Sequence, residues 1–177
     1  MISHDKKFIF IHVPRTGGTS IECFLDSSKF EHKFSREIHS RHDYELREHS
    51  DYFSFSFIRN PWERMLSFYL FDKAGSTKYS FESWLQLIRI RNRFAQSMSF
   101  FIMDDDKPRV DFVGRYETYQ TDIEYVCDRL NIEYEELPVL NKTNHNYYVD
   151  YYDNKTKELV GRMYEKDILN FGYEFGN

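Results

Sequence analysis

The apolar run Phe8-Ile9-Phe10-Ile11-His12-Val13 breaks into Pro14-Arg15-Thr16-Gly17-Gly18-Thr19-Ser20, and Ile21-Glu22-Cys23-Phe24-Leu25 follows. That succession dictates a strand, a tight loop and the start of a helix. Paired glycines let the backbone turn sharply and bring its amides close to a ligand. Thr19 and Ser20 supply hydroxyls that donate to that ligand or cap the helix. N–H groups converge there with the positive end of the helix dipole, and Arg15 adds a permanent cation with a planar donor fork. The loop is built for an anion, and a phosphate or sulfate ester suits it. It has neither the glycine spacing nor the lysine of a Walker A loop, so it is a phosphate loop of another kind.

A second strand-to-helix passage is predicted where the alternating Phe53-Ser54-Phe55-Ser56-Phe57-Ile58 gives way to Arg59-Asn60-Pro61-Trp62-Glu63-Arg64-Met65-Leu66-Ser67-Phe68-Tyr69. Asn60 is a good N-cap, Pro61 suits the first helical turn, and Trp62, Met65, Leu66 and Tyr69 recur at helical spacing. Arg59 then stands at the carboxyl end of the strand. Ser67 lies two turns further on and shares a phosphate with Arg59 only if the ligand runs along the helix.

Together the two segments resemble the nucleotide-binding signatures of the sulfotransferases that use 3′-phosphoadenosine 5′-phosphosulfate (PAPS). Pro14 to Ser20 is similar to the family's 5′-phosphosulfate loop, and Arg59-Asn60-Pro61-x-x-Arg64-x-x-Ser67-x-Tyr69 to its 3′-phosphate motif. Downstream, Phe112-Val113-Gly114-Arg115-Tyr116-Glu117, Leu137-Pro138-x-x-Asn141-Lys142 and Tyr164-x-x-Asp167-x-x-x-Phe171-Gly172-Tyr173 resemble the carbohydrate branch, of heparan and chondroitin type. The resemblance covers nearly the whole chain. Two such loops in the right order, about forty residues apart, are far more specific than either alone.

Strands alternating with helices imply a parallel sheet covered on both faces, with ligands at the strands' carboxyl ends. The resemblance implies the corresponding fold class, a P-loop-like three-layer α/β/α fold around a central, mainly parallel sheet. A length of 177 residues predicts a single domain, 1–177, and no repeat, low-complexity tract or proline-rich linker divides it. With 17 Phe and 14 Tyr beside 30% charged residues and a mean hydropathy of −0.69, aromatics must supply much of the core.

A net charge of −5 argues against general nucleic-acid affinity. No apolar run is long enough for a membrane span, and the first residues lead into a strand without the apolar region of a signal peptide. The expectation is a cytoplasmic protein, unlike the anchored Golgi members of the resembled branch. Cys23 and Cys127, the two cysteines, read as small buried thiols. No metal quartet is available, and Asp104-Asp105-Asp106 reads as a solvated acidic turn. The cluster Arg89-Ile90-Arg91-Asn92-Arg93 is either the solvated end of a helix from Phe81 to Phe94 or an anionic-substrate patch.

Sulfuryl transfer needs a base near an acceptor hydroxyl, in-line placement of the sulfur, and stabilisation of charge on the departing phosphate. Residues 27–50 are expected to form a histidine-rich loop with a short helix near Tyr44 to His49. Imidazole, with a pKa of about 6.5, is largely neutral near pH 7 and can accept a proton, so histidine suits the base; the resembled branch has a histidine in this segment ahead of a short helix, which implicates His39 or His42, His39 matching that position the better.

Arg15 replaces the family's commoner lysine at the leaving phosphate. It acts by charge and hydrogen bonds, since guanidinium keeps its proton. The resemblance assigns Arg15, Thr16, Gly17, Gly18, Thr19 and Ser20 to the 5′-phosphosulfate, Arg59 and Ser67 to the 3′-phosphate, and Arg115 to a further nucleotide contact. Arg64 is either a phosphate contact or a structural ion pair. Trp62 and Tyr69 read as core rather than adenine platforms, and His12 faces the core or the cleft from its strand.

Lys142 and His145 are the candidates for lining the acceptor cleft. The tyrosines of Tyr147-Tyr148-Val149-Asp150-Tyr151-Tyr152 either stack on sugar faces or pack as a C-terminal segment. The expected activity is metal-independent transfer from PAPS to a hydroxyl acceptor, a carbohydrate by the branch resembled. A nucleotide-dependent kinase would need Mg²⁺ ligands and a P-loop lysine, and a non-catalytic nucleotide- or glycan-binding module would bind without turnover.

Overall fold

A computed structural model of the chain describes residues 1–25, 38–74, 78–91, 95–137 and 147–176; the side chains of 38–42, 73–74 and 89–91 lie outside that description. The described elements are β1 (Ile2–Ser3), β2 (Phe8–Ile11), α1 (Gly18–Leu25), α2 (Ile38–Glu48), β3 (Phe53–Ile58), α3 (Pro61–Ala74), α4 (Phe81–Arg91) and α5 (Met98–Ile102). There follow β4 (Met103–Asp104), β5 (Lys107–Pro108), β6 (Phe112–Arg115), α6 (Tyr119–Leu130), α7 (Asn154–Met163) and α8 (Glu165–Phe171), with 3-10 turns at Tyr116–Thr118 and Tyr148–Tyr151. The fold is α/β. Its central sheet has the order β1-β2-β3-β6; β2, β3 and β6 run parallel and only the edge strand β1 is antiparallel. The chain divides into two compact units, Met1–Ile58 with Phe101–Leu140 and Arg59–Phe100 with Asn141–Asn177.

The first unit is a phenylalanine-faced sheet. Alternation puts Phe8 and Phe10 on one face, and parallel register sets Phe53 and Phe55 beside them. Ile21 and Leu25 of α1 and Ile123 and Val126 of α6 join Phe8, Phe10, Phe55 and Phe57 in one buried cluster, each large side chain contributing about 1.5–3 kcal/mol by leaving water. The intervening serines are satisfied: Ser56 Oγ donates to Ile11 O at 2.7 Å, and Ser54 Oγ donates to Asp111 Oδ2 at 2.7 Å. Cys127 is buried, and burial pushes its thiol pKa up; Cys23 is half-buried and, like Cys127, free. Asp104 to Asp106 are exposed at the turn between β4 and β5.

The second unit is built around the face predicted for α3. Trp62, Met65, Leu66 and Tyr69 are buried with Trp84, Leu85 and Ile88 of α4, Tyr148, and Val160 of α7. Asp153 caps α7, its carboxylate accepting from Thr156 N at 2.7 Å while Thr156 Oγ1 lies 3.0 Å from Asp153 N. That backbone hydrogen bond, then the hydroxyl's, holds the Asp153 pKa low. Of the tyrosine-rich segment, Tyr148 is buried and Tyr152 donates to Trp62 O at 2.7 Å, while Tyr147 and Tyr151 are exposed.

One expected boundary is corrected. α2 is longer than the short helix near Tyr44 to His49, starting at Ile38, so His39 and His42 lie within it rather than ahead of it. In the sequence, Arg41 with Glu45 and Asp43 with Arg47 stand at the i,i+4 spacing of opposite charges that favours a helix. Among the described residues no helix is long and apolar enough to cross a membrane.

Candidate active site

The loop after β2 owes its shape to two left-handed residues. Arg15 has φ 69° and Gly17 φ 87°; the first costs an L-residue about 1–2 kcal/mol, the second costs glycine little. Thr16, wholly buried between them, donates from Oγ1 to Val13 O at 2.8 Å. α1 then begins at Gly18, with Ser20 N donating to Gly17 O at 3.0 Å. Helix geometry leaves the first amides of α1 without an i−4 carbonyl, and that is what an anion exploits.

Both glycines are demanded by their neighbours as well. A Cβ on Gly17 would stand 2.6 Å from Tyr119 Cε2, and one on Gly18 would stand 2.5 Å from His12 Nε2. Tyr119, first residue of α6, donates its phenol to Gly17 O at 2.8 Å. Burial pushes that phenol's pKa up, opposed by a hydrogen bond with Ser20, so it remains a neutral donor at physiological pH. His12 stacks on Phe10 with ring centroids 5.9 Å apart and sets Nδ1 3.1 Å from Glu22 Oε1.

At the carboxyl end of β6, Arg115 is half-buried, and its N–H donates to Asp122 Oδ2 at 2.6 Å. Since β2 and β6 point the same way in the sheet, Arg115 and the glycine loop occupy the same sheet edge. α2 is tied down beside His42, where Arg109 pairs with Asp43 and also donates from Nη2 to Phe101 O at 2.6 Å. The side chains of His39 and His42 lie outside the described residues, as do Lys142 and His145 and the basic cluster from Arg89 to Arg93.

The second motif is organised by side chains. Asn60 is the N-cap predicted: its Oδ1 accepts from Trp62 N at 3.1 Å, and Nδ2 donates to Glu174 O at 3.0 Å. Arg59 is buried, its Nη2 3.0 Å from Glu63 Oε1, and its N–H points to Met98 Sδ at 3.3 Å. Ser67 is buried too.

Arg64 is a structural cation. It is fully buried, donates from Nη1 to Gln96 O at 3.0 Å, and lies over Phe68 and Tyr164 at 5.6 and 5.7 Å. Desolvation lowers its pKa, opposed by Tyr164 and Asp167. Asp167 accepts from Met98 N, Ser99 N and Ser99 Oγ at 2.7, 2.7 and 2.6 Å, capping α5 from within the core. Trp62 and Tyr69 are core residues, as expected.

The sulfotransferase family model matches residues 1–174, spanning both units and both motifs. The chain belongs to the sulfotransferase family. Searches of curated proteins and of solved structures give no match. Sulfuryl transfer is therefore the general chemistry of this sulfotransferase. Three of its residues at the loop escaped the sequence-based assignment: Tyr119, which the chain places 102 residues from Gly17, and the pair His12 and Glu22. For the pair a signal existed, a histidine just after an apolar strand, five residues before Gly17, with a carboxylate four residues after Gly18. For Tyr119 there was none.

Proposed function

We propose that this sulfotransferase moves a sulfuryl group from PAPS to a carbohydrate hydroxyl without a metal ion. The observation that carries the reading is the loop from Pro14 to Ser20, with its two left-handed residues, its cation and its helix start, in a chain of this family. In this reading Arg15, Thr16, Gly17, Gly18, Thr19 and Ser20 hold the 5′-phosphosulfate, Arg59 and Ser67 take the 3′-phosphate, and Arg115 is a further nucleotide contact. The family match runs unbroken through both units, which supports treating 1–177 as one sulfotransferase domain of P-loop-like three-layer α/β/α type.

The acceptor oxygen attacks sulfur in line as the bond from sulfur to the bridging 5′-phosphate oxygen breaks. The acceptor's proton passes to His39 or His42, and adenosine 3′,5′-bisphosphate leaves. Charge gathering on the departing phosphate is met by Arg15 and the α1 amides; no general acid is needed, which is why arginine can stand where lysine is commoner. Lys142 and His145 line the acceptor cleft in this assignment. Support for a sugar comes from Tyr147, just before the 3-10 turn, and Tyr151 at its end, 56% and 37% exposed, whose rings are suited to stacking on pyranose faces.

The test is transfer of labelled sulfuryl groups from PAPS to a panel of glycans, simple glycosides and non-sugar alcohols, with EDTA present. Labelled sugar esters, lost in one of His39→Ala and His42→Ala, are expected. Labelling of non-sugar alcohols alone would remove the carbohydrate assignment. Absence of transfer to any acceptor with the bisphosphate still bound would indicate a binding module.

A further inference from the structure

His12 and Glu22 are absent from every role assigned so far, yet the His12 ring packs against the loop at Gly18 and Glu22 pairs with it. The His12 ring is only 13% exposed, is fixed in plane by its stack on Phe10 at 22°, and sets its Nε2 edge against Gly18, where a Cβ would stand 2.5 Å away. Its opposite edge puts Nδ1 3.1 Å from the Glu22 carboxylate, one turn into α1. A carboxylate only accepts, so Nδ1 carries the proton. The imidazole is thus wedged between the end of β2 and the first turn of α1, and the carboxylate fixes its rotation. Glu22 is itself an anionic group on the first turns of an anion-binding helix, where left to itself it would oppose a second anion. The contact with His12 holds its oxygen in one place.

We propose that His12 and Glu22 are a positioning pair for the donor loop: the carboxylate orients the imidazole, and the imidazole sets the distance between β2 and the α1 amides that receive the sulfuryl-bearing phosphate. The proposal rests on the assignment of that loop to the donor. Neither residue touches the reacting atoms in this account.

The experiment uses the whole chain with Glu22→Gln, Glu22→Ala and His12→Phe, read three ways: imidazole ¹⁵N shifts and amide exchange in the ligand-free protein, and titration with adenosine 3′,5′-bisphosphate. The wild type should show His12 as the Nδ1–H tautomer. Glu22→Ala should lose that tautomer, exchange the Gly18 to Ser20 amides faster, and weaken the bisphosphate about tenfold or more, as expected when binding groups are misplaced by a fraction of an ångström. Glu22→Gln keeps an acceptor for Nδ1–H and should stay within about twofold, while His12→Phe keeps the wedge without the hydrogen bond and should fall between them.

An Nε2–H tautomer in the wild type, or unchanged amide exchange in Glu22→Ala, overturns the positioning pair; so does bisphosphate affinity in Glu22→Ala equal to that of a wild type that binds. Should the wild type bind no bisphosphate, the donor assignment fails separately, and the tautomer and exchange results still decide whether the pair sets the loop.

Discussion

The two strand-to-helix passages of this sulfotransferase solve the same problem by opposite means. After β2 the turn is made of backbone: two left-handed residues, two glycines that neighbouring rings force to be glycines, and helix amides. At the start of α3 the turn is made of side chains, Asn60 capping, Arg59 held by Glu63, and Arg64 sunk into an aromatic core beside Asp167. A backbone site tolerates no added atom yet contributes little to the unit's core. A side-chain site doubles as core, so its motif residues carry stability as well as chemistry. Arg64 shows how far that goes, for it stands in the middle of the second motif and is buried in the core.

The sharpest way to break that contrast is to damage each passage and ask whether stability or binding suffers. Arg64→Ala should cost about 3–5 kcal/mol, since it opens a cavity and leaves Asp167 without a neighbouring cation in the core; urea denaturation checks this, and bisphosphate affinity per folded molecule should be unchanged. Gly18→Ala should do the reverse, weakening the bisphosphate about a hundredfold as the His12 ring and the first turn of α1 are driven apart. A melting temperature lowered as far as in Arg64→Ala would contradict the contrast.

Tyr119→Phe is the milder probe of the same loop. It removes one hydrogen bond to Gly17 O, worth about 1 kcal/mol, and should weaken the bisphosphate severalfold in calorimetry while the fold persists. A further effect concerns pH in the second unit. Burial, partly offset by Arg64, pushes the Tyr164 phenol up to about 12, against about 10 in the unfolded chain. A raised folded pKa means its stabilisation is complete below pH 10 and is lost as pH rises from 10 towards 12, because only the unfolded chain then releases the proton. Denaturation midpoints over that window should fall more steeply for wild type than for Tyr164→Phe, which has no phenol there to titrate.

What was legible in the sequence follows the same division. The glycine loop could be read because its determinants are local: paired glycines, a helix-starting Thr-Ser and a cation within seven residues. Asn60 and Pro61 announced the start of α3 for the same reason. The Tyr119 phenol on Gly17 and the burial of Arg64 against Tyr164 depend on residues about a hundred positions away, and no local pattern encodes them. The early start of α2 is not marked by propensity, since histidine and serine carry little of it; the i,i+4 spacing of opposite charges at Arg41 and Glu45 and at Asp43 and Arg47 is its local signal.

The most direct measurement is calorimetric titration of the purified chain with adenosine 3′,5′-bisphosphate in EDTA, beside ATP with Mg²⁺, for wild type, Arg15→Ala and Arg59→Ala. Metal-independent binding of the bisphosphate, lost in both variants, is the predicted result. No binding, or a preference for ATP with Mg²⁺, would contradict the donor assignment on which the account stands.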